Sequence, residues 1–311
     1  MAMYPPSRAA RFFVVIGFSF FVLLLHSIDK RQTYARLELI HVHSGWHHNV
    51  NADSDQDTNK SSLERGGQEF TRVHACEQSY GVQFQTDSEY VSQKIFENLN
   101  LNSESFVIEV GGFEGDWMLR MFKLYEIGFY AVLEPVWTFF NILMRESDYL
   151  PQGKIKPLNI GLGAKDDIIN VKMIDDRTSV YNRQTESRQS ESWQSESRNT
   201  SEPTTDLYIV GVERFFRDIG IGMSDDGFKG HLDLLILDCE GCEYDVLDYL
   251  LRTPKVLHFI HIIMFRSHRF KGHEQEMIRK YCTYQELLPL THDLRFQQKF
   301  SWDVWTLRKM M

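Results

Sequence analysis

The stretch FVIEVGGFEG, residues 106–115, decides the fold. An apolar strand runs straight into a glycine turn, and Trp117, Met118, Met121, Phe122, Leu124 and Tyr125 follow it at helical spacing. A second strand, FYAVLE at 129–134, completes a strand-helix-strand unit of the doubly wound kind. Each strand carries an acid at its turn end, Glu109 in the first and Glu134 in the second. A pyrophosphate seated at the helix N-terminus would be repelled by Glu109, and Gly111-Gly112-Phe113-Glu114-Gly115 lacks the glycine spacing of a dinucleotide turn.

A ligand that suits two such carboxylates carries an ammonium, a sulfonium and a free ribose diol, which describes S-adenosylmethionine (SAM). Glu134 is expected to accept both ribose hydroxyls and Glu109 to sit under the aminoacyl end. The plainer alternative is a strand-to-helix turn in which Glu134 is an ordinary strand-end acid. Farther on, LDLLILD at 232–238 is long enough for a central parallel strand, and CEGCEY at 239–244 turns from it into a helix buried through Val246, Leu247, Leu250 and Leu251. Asp238 then stands at the carboxyl end of that strand, where open α/β sheets bind ligands. Glu243 and Asp245 fall in the first helical turn, where the helix dipole favours acids.

With 311 residues and 42% apolar content, the chain can bury one substantial core. Its net charge of -9 and the absence of a basic run argue against nucleic acid as a partner. Residues 12–28, FFVVIGFSFFVLLLHSI, form an apolar run expected to be an uncleaved signal anchor, with residues 1–11 a cytosolic tail. Residues 29–74 then read as a flexible stem; its histidines, lacking an apolar scaffold, read as linker rather than metal ligands. Sequons at Asn59 and Asn199 favour a lumenal domain in the Golgi or endoplasmic reticulum. The polar repeat ESRQS-ESWQS-ESRNT, 186–200, is expected to lie in a disordered insertion, 183–205. It separates strand-like segments at 168–174 and 207–210.

Taken together, EVGGFEGD (109–116), FYAVLEP (129–135), NIGLGAKDD (159–167) and LLILDCEGCEYDVL (234–247) resemble the FkbM family of SAM-dependent methyltransferases in order and spacing. The tail LRFQQKFSWDVWTL (294–307) is similar to animal members, its Trp302 and Trp305 completing the core in a closing antiparallel strand. The resemblance implies a Rossmann-like α/β fold over residues 75–311, a seven-stranded, mainly parallel sheet with helices on both faces. The chain departs from the family at Gly112-Phe113, usually Ala-Asn; at Ile236, often Lys; and in HIIMFRSH (261–268), where a strand-end Glu is often found.

The roles expected for SAM binding are backbone approach at Gly111 and Gly115, polar contact from Glu109 and Asp116, ribose binding by Glu134, and an adenine contact from Asp166 after the third strand. Methyl transfer chiefly needs alignment, and a hydroxyl acceptor gains from losing its proton. Asp238, Glu240 and His268 are the candidate bases, Asp238 leading on position. No metal is expected, because helix capping explains Asp238, Glu240 and Glu243 without one. Cys239 and Cys242 read as packing thiols, while a lumenal domain permits Cys76 and Cys282 to pair. The function expected is O-methylation of a glycan or other secretory-pathway hydroxyl. A binding module that no longer turns over is one alternative. A membrane glycosyltransferase using Asp175-Asp176 or Asp225-Asp226 is another.

Overall fold

The computed structural model describes residues 73–79, 93–172, 204–222, 230–270 and 272–309. Within these, β1 (Phe106–Val110) and β2 (Phe129–Leu133) are buried at every position, and β7 (Leu232–Leu237) at every position but Asp233. Near-continuous apolar runs are what parallel strands covered on both faces require. With β3 (Ile155–Leu158), β8 (Ile260–Arg266), β9 (His292–Gln298) and β10 (Trp302–Leu307) they form one seven-stranded sheet in the order β3-β2-β1-β7-β8-β10-β9. The first five of that order are parallel, and β10 runs antiparallel to both of its neighbours. Trp302 and Trp305 are both buried in β10, as expected of the closing antiparallel strand.

The side-chain alternation of the strands feeds two cores. Val107, Tyr130, Val132, Leu234 and Ile236 pack with Met118 and Met121 of α1 (Asp116–Leu124) and Leu143 of α2 (Trp137–Ser147). Phe106, Ile108, Val110, Leu235 and Leu237 face the opposite way. They meet Phe215 and Phe216 of α3 (Val212–Asp218), Val246, Leu247 and Leu250 of α4 (Cys242–Arg252), and Tyr281 of α5 (Glu274–Leu287). Helices therefore cover both faces. Each fully buried aliphatic side chain contributes roughly 1.5–3 kcal/mol, and a one-residue slip in any strand would exchange the two sets.

The third strand corrects the sequence reading. Pairing with β2 is made by Ile155–Leu158, an edge strand that tolerates Pro157. The NIGLG segment expected there instead begins a second, three-stranded sheet of β4 (Gly161–Gly163), β5 (Asp167–Lys172) and β6 (Thr204–Gly211), ordered β4-β6-β5. β5 and β6 are the two strand-like segments of the sequence, paired antiparallel.

All four cysteines form disulfides. Cys76–Cys282 fastens the helix at residues 73–79 to α5, and that helix straddles the stem boundary drawn at residue 74. Cys239–Cys242 corrects the packing-thiol reading: the turn between them brings the two Cα atoms to 5.4 Å, within bonding reach. The anchor at 12–28, the sequons at Asn59 and Asn199, the polar repeat at 186–200 and both Asp-Asp pairs lie outside the described residues. Among the described residues no helix is long and apolar enough to cross a membrane.

Candidate active site

Strand order reverses between β1 and β7, and the turns after these two strands are pressed together. A Cβ on Gly111 would come 2.0 Å from the Asp238 carbonyl oxygen, and one on Gly112 would come 2.3 Å from Val132. Gly111, at φ +91°, also needs a backbone conformation that side chains disfavour. Phe113 (φ 46°) and Glu240 (φ 53°) adopt left-handed backbone without being glycine, one in each turn. Such residues persist where the surrounding structure over-determines them, and they gather at functional sites. A cavity of about 400 Å³ opens between the turns and the second sheet, whose Ile169, Leu207 and Ile209 form an apolar wall.

Glu134, directly after β2, is 5% exposed and lines the cavity. One carboxylate oxygen accepts the Phe113 N–H at 2.9 Å and the other the Val136 N–H at 2.7 Å. The acid thus ties the glycine turn to the end of β2. Burial pushes its pKa up to about 7, against the opposing pull of those two N–H groups.

Glu109 behaves differently. It is fully buried, flanked in register by Val132 and Ile236, and is not part of the cavity lining. Tyr130 donates its hydroxyl to Oε2 at 2.6 Å, whereas Oε1 has no partner. Burial raises the Glu109 pKa to about 8, so near neutrality the group is largely a neutral acid. The stability linked to its proton is complete below the ordinary value of 4.5 and is lost as pH rises through about 8. Glu109→Gln should therefore match the wild type in urea unfolding only below about pH 4.5 and exceed it by a growing margin up to about pH 8. Parallel pH profiles for the two proteins would refute this account.

On the other side of Gly111, three acidic side chains form a knot around His268, which is 7% exposed. Glu243, fully buried in the first turn of α4, accepts both the backbone N–H and Nδ1–H of His268 at 3.0 Å, and its second oxygen accepts the Gly241 N–H at 2.9 Å. Nε2 lies between Asp238 Oδ1 (3.2 Å) and Glu240 Oε1 (3.1 Å), its N–H aligned squarely with neither. Burial opposes charge on His268, but Glu243 foremost, then Asp238 and Glu240, hold its pKa well above the ordinary range. The raised pKa favours the protonated ring near neutrality. The three acids thus surround a side chain that the raised pKa disposes to hold its proton. Burial likewise works against ionised Asp238, yet His268, Arg266 and the Trp117 indole N–H (3.1 Å) keep it below the usual carboxylate range.

Asp116 and Gly111 line the cavity, as do Asp238 and Glu240. Gly115 does not. It caps α1 at φ 98°, where a Cβ would meet Leu143 and Met118, so its constraint is helix packing. Asp166 is engaged at 2.7 Å by both the Gly211 N–H and Arg214, while the cavity is lined by its neighbours Ala164, Lys165 and Asp167. Sequence reading missed Trp117, Tyr130 and Arg266 as site residues. Trp117 sits one residue after Asp116 at the turn, a placement that offered the clue; nothing local marked Tyr130.

The sequence model of the family described as Methyltransferase FkbM domain matches residues 109–295. The chain belongs to the FkbM methyltransferase family. The glycosyltransferase alternative falls with this assignment. No curated protein matches the chain. Solved structures that it resembles include a putative O-methyltransferase from Klebsiella pneumoniae, at 10% identity over 78% of this chain and 90% of that one, TM-score 0.38. Another is the O-methyltransferase TomG from Streptomyces achromogenes in complex with SAM, at 9% identity over 76% and 90%, TM-score 0.37. As an FkbM methyltransferase the protein uses SAM, and the donor set suits that cofactor. Six carboxylates line the cavity (Asp116, Glu134, Asp167, Asp238, Glu240, Asp245) against two cations (Lys165, Arg266), which favours a ligand of net positive charge.

Proposed function

We propose that this FkbM methyltransferase transfers a methyl group from SAM to a hydroxyl oxygen, on a glycan or other acceptor of the secretory pathway. The observation that carries the chemical part is the pair of carboxylates, Asp238 and Glu240, that closes the β7 turn on the cavity. Bound SAM supplies a methyl group on a sulfonium, already activated for displacement by the acceptor oxygen. Glu134 takes the ribose hydroxyls on its remaining lone pairs, and Asp116 and Asp238 face the ammonium and sulfonium. Glu109, neutral below the turn, supports the floor rather than touching the ligand. Of the three candidate bases, His268 already holds its proton and Asp238 is held ionised by its partners. Glu240 is left to take the proton of the acceptor hydroxyl, with His268 fixing its carboxylate at 3.1 Å.

The location rests on the apolar run at 12–28, on the sequons and on the disulfides, which persist in oxidising compartments. On this reading the chain is a single-pass membrane protein with a lumenal catalytic domain. The test is calorimetric titration of the full chain, made in a secretory host, with S-adenosylhomocysteine (SAH), followed by transfer of labelled methyl to a glycan panel. Micromolar binding and labelled ether products are expected, with Glu240→Gln keeping the affinity and losing the transfer. Binding without transfer to any acceptor would favour the module that no longer turns over.

A further inference from the structure

Arg266 ends β8, the strand next to β7, and it reaches the cavity from the side opposite Glu134. Its guanidinium lies 3.5 Å from Asp238 Oδ1, close enough for charge attraction and too far for a good hydrogen bond. The side chain is 44% exposed, against 12% for Asp238. Asp238 is held chiefly by other groups, His268 and the Trp117 indole, so the planar fork of Arg266 has donors to offer a second anion.

SAM brings two cationic groups and a single anion, the carboxylate of its aminoacyl end. The acids of the cavity serve the cationic groups, and the carboxylate needs a positive partner in an otherwise acidic site. Lys165, the other cation of the lining, belongs to the far wall, where its Cα would stand 3.1 Å from a Cβ placed on Gly211. Glu134 and Arg266 stand at the ends of strands three spacings apart in the order β2-β1-β7-β8, about 14 Å at the backbone. Both side chains reach inward and narrow that span.

From this arrangement we infer that Arg266 is the clamp for the aminoacyl carboxylate of SAM and SAH, and so sets the selectivity of the site for the intact cofactor. The inference rests on the SAM site proposed above. Asp238 beside it receives the ammonium, so the two side chains read the zwitterionic end as a pair. Arg266 is only partly buried and its side chain belongs to neither core, which makes it replaceable without loss of the fold.

The test is a double-mutant cycle read by calorimetry on the full chain, with SAH and with decarboxylated SAH, which keeps the amine and lacks only the carboxylate. In the wild type, loss of the carboxylate should weaken binding about tenfold or more, as expected for a charge-assisted pair. Arg266→Met should bind SAH that much more weakly and show no further loss with the decarboxylated ligand, while Arg266→Lys should fall between. If Arg266→Met still distinguished the two ligands by the wild-type factor, or bound SAH as tightly as the wild type, the clamp would be overturned and the SAM site would stand. A wild-type protein that bound neither ligand would overturn the site and the clamp together.

Discussion

Replacing Glu134 with alanine should weaken SAH binding about a hundredfold or more, yet leave the protein folded. A carboxylate has about four lone-pair positions, and two here are taken by the N–H groups of Phe113 and Val136. The remaining pair matches the two hydroxyls of a ribose. Hydrogen bonds to a charged group contribute about 1.5–3 kcal/mol each, so two of them account for the hundredfold. The alanine variant also frees the left-handed turn at Phe113, whose N–H loses its acceptor at the cavity edge. Water entering the opened cavity can satisfy that group, which is why stability should suffer less than affinity.

A pH signature separates this role from simple packing. Burial holds Glu134 at about 7, and the ionised form is the better acceptor for hydroxyl donors. SAH affinity in the wild type should therefore rise as pH increases through about 7 and then level off. In Glu134→Ala that rise should vanish. Calorimetry at several pH values reads both effects, and an alanine variant with wild-type affinity would end the ribose assignment.

The centre of the main sheet was legible because β1 and β7 are unbroken or nearly unbroken apolar runs followed by glycine turns. Local composition is enough for that pattern, and residues 106–115 carry it almost alone. β3 was misplaced because an edge strand with Pro157 has little pattern of its own, while NIGLG beside it reads apolar on both faces. Among site residues, those in the turns after β1, β2 and β7 were found, since the turn itself announces them, whereas Arg266 at the end of β8 was missed. Tyr130 escaped because its partner Glu109 lies diagonally across on the adjacent strand and is not a neighbour in sequence. His268 was seen, but its charge was not. Protonation there follows from Glu243, twenty-five residues away in the chain, and no spacing rule shows that the two meet. The same blindness applied to Cys239 and Cys242, where spacing allowed a thiol pair, a metal site or a disulfide alike.

Glu243→Ala should cost about 3–5 kcal/mol of folding stability, the range for removing one partner from a buried ion pair. Three groups lose an acceptor at once: the backbone and ring N–H of His268 and the backbone N–H of Gly241. The imidazolium would then rely on Asp238 and Glu240, whose contacts with Nε2 are imperfectly aligned. Its sign in pH follows from the raised pKa of His268. The contribution is complete below the ordinary value of 6.5 and is lost as pH rises through the higher folded value, so the wild type keeps it at neutrality. In Glu243→Ala the His268 pKa should fall, moving that loss to lower pH, and ring chemical shifts would follow the change. Glu243→Leu combined with His268→Leu offers the decisive comparison, because replacing both partners by apolar groups leaves no orphaned charge in the core. The double variant should be more stable than Glu243→Ala in urea, while Asp238 loses its strongest partner and its pKa rises. Equal destabilisation of the single and double variants would mean that Glu243 acts by packing alone, and the ionised state of Asp238 would need another source.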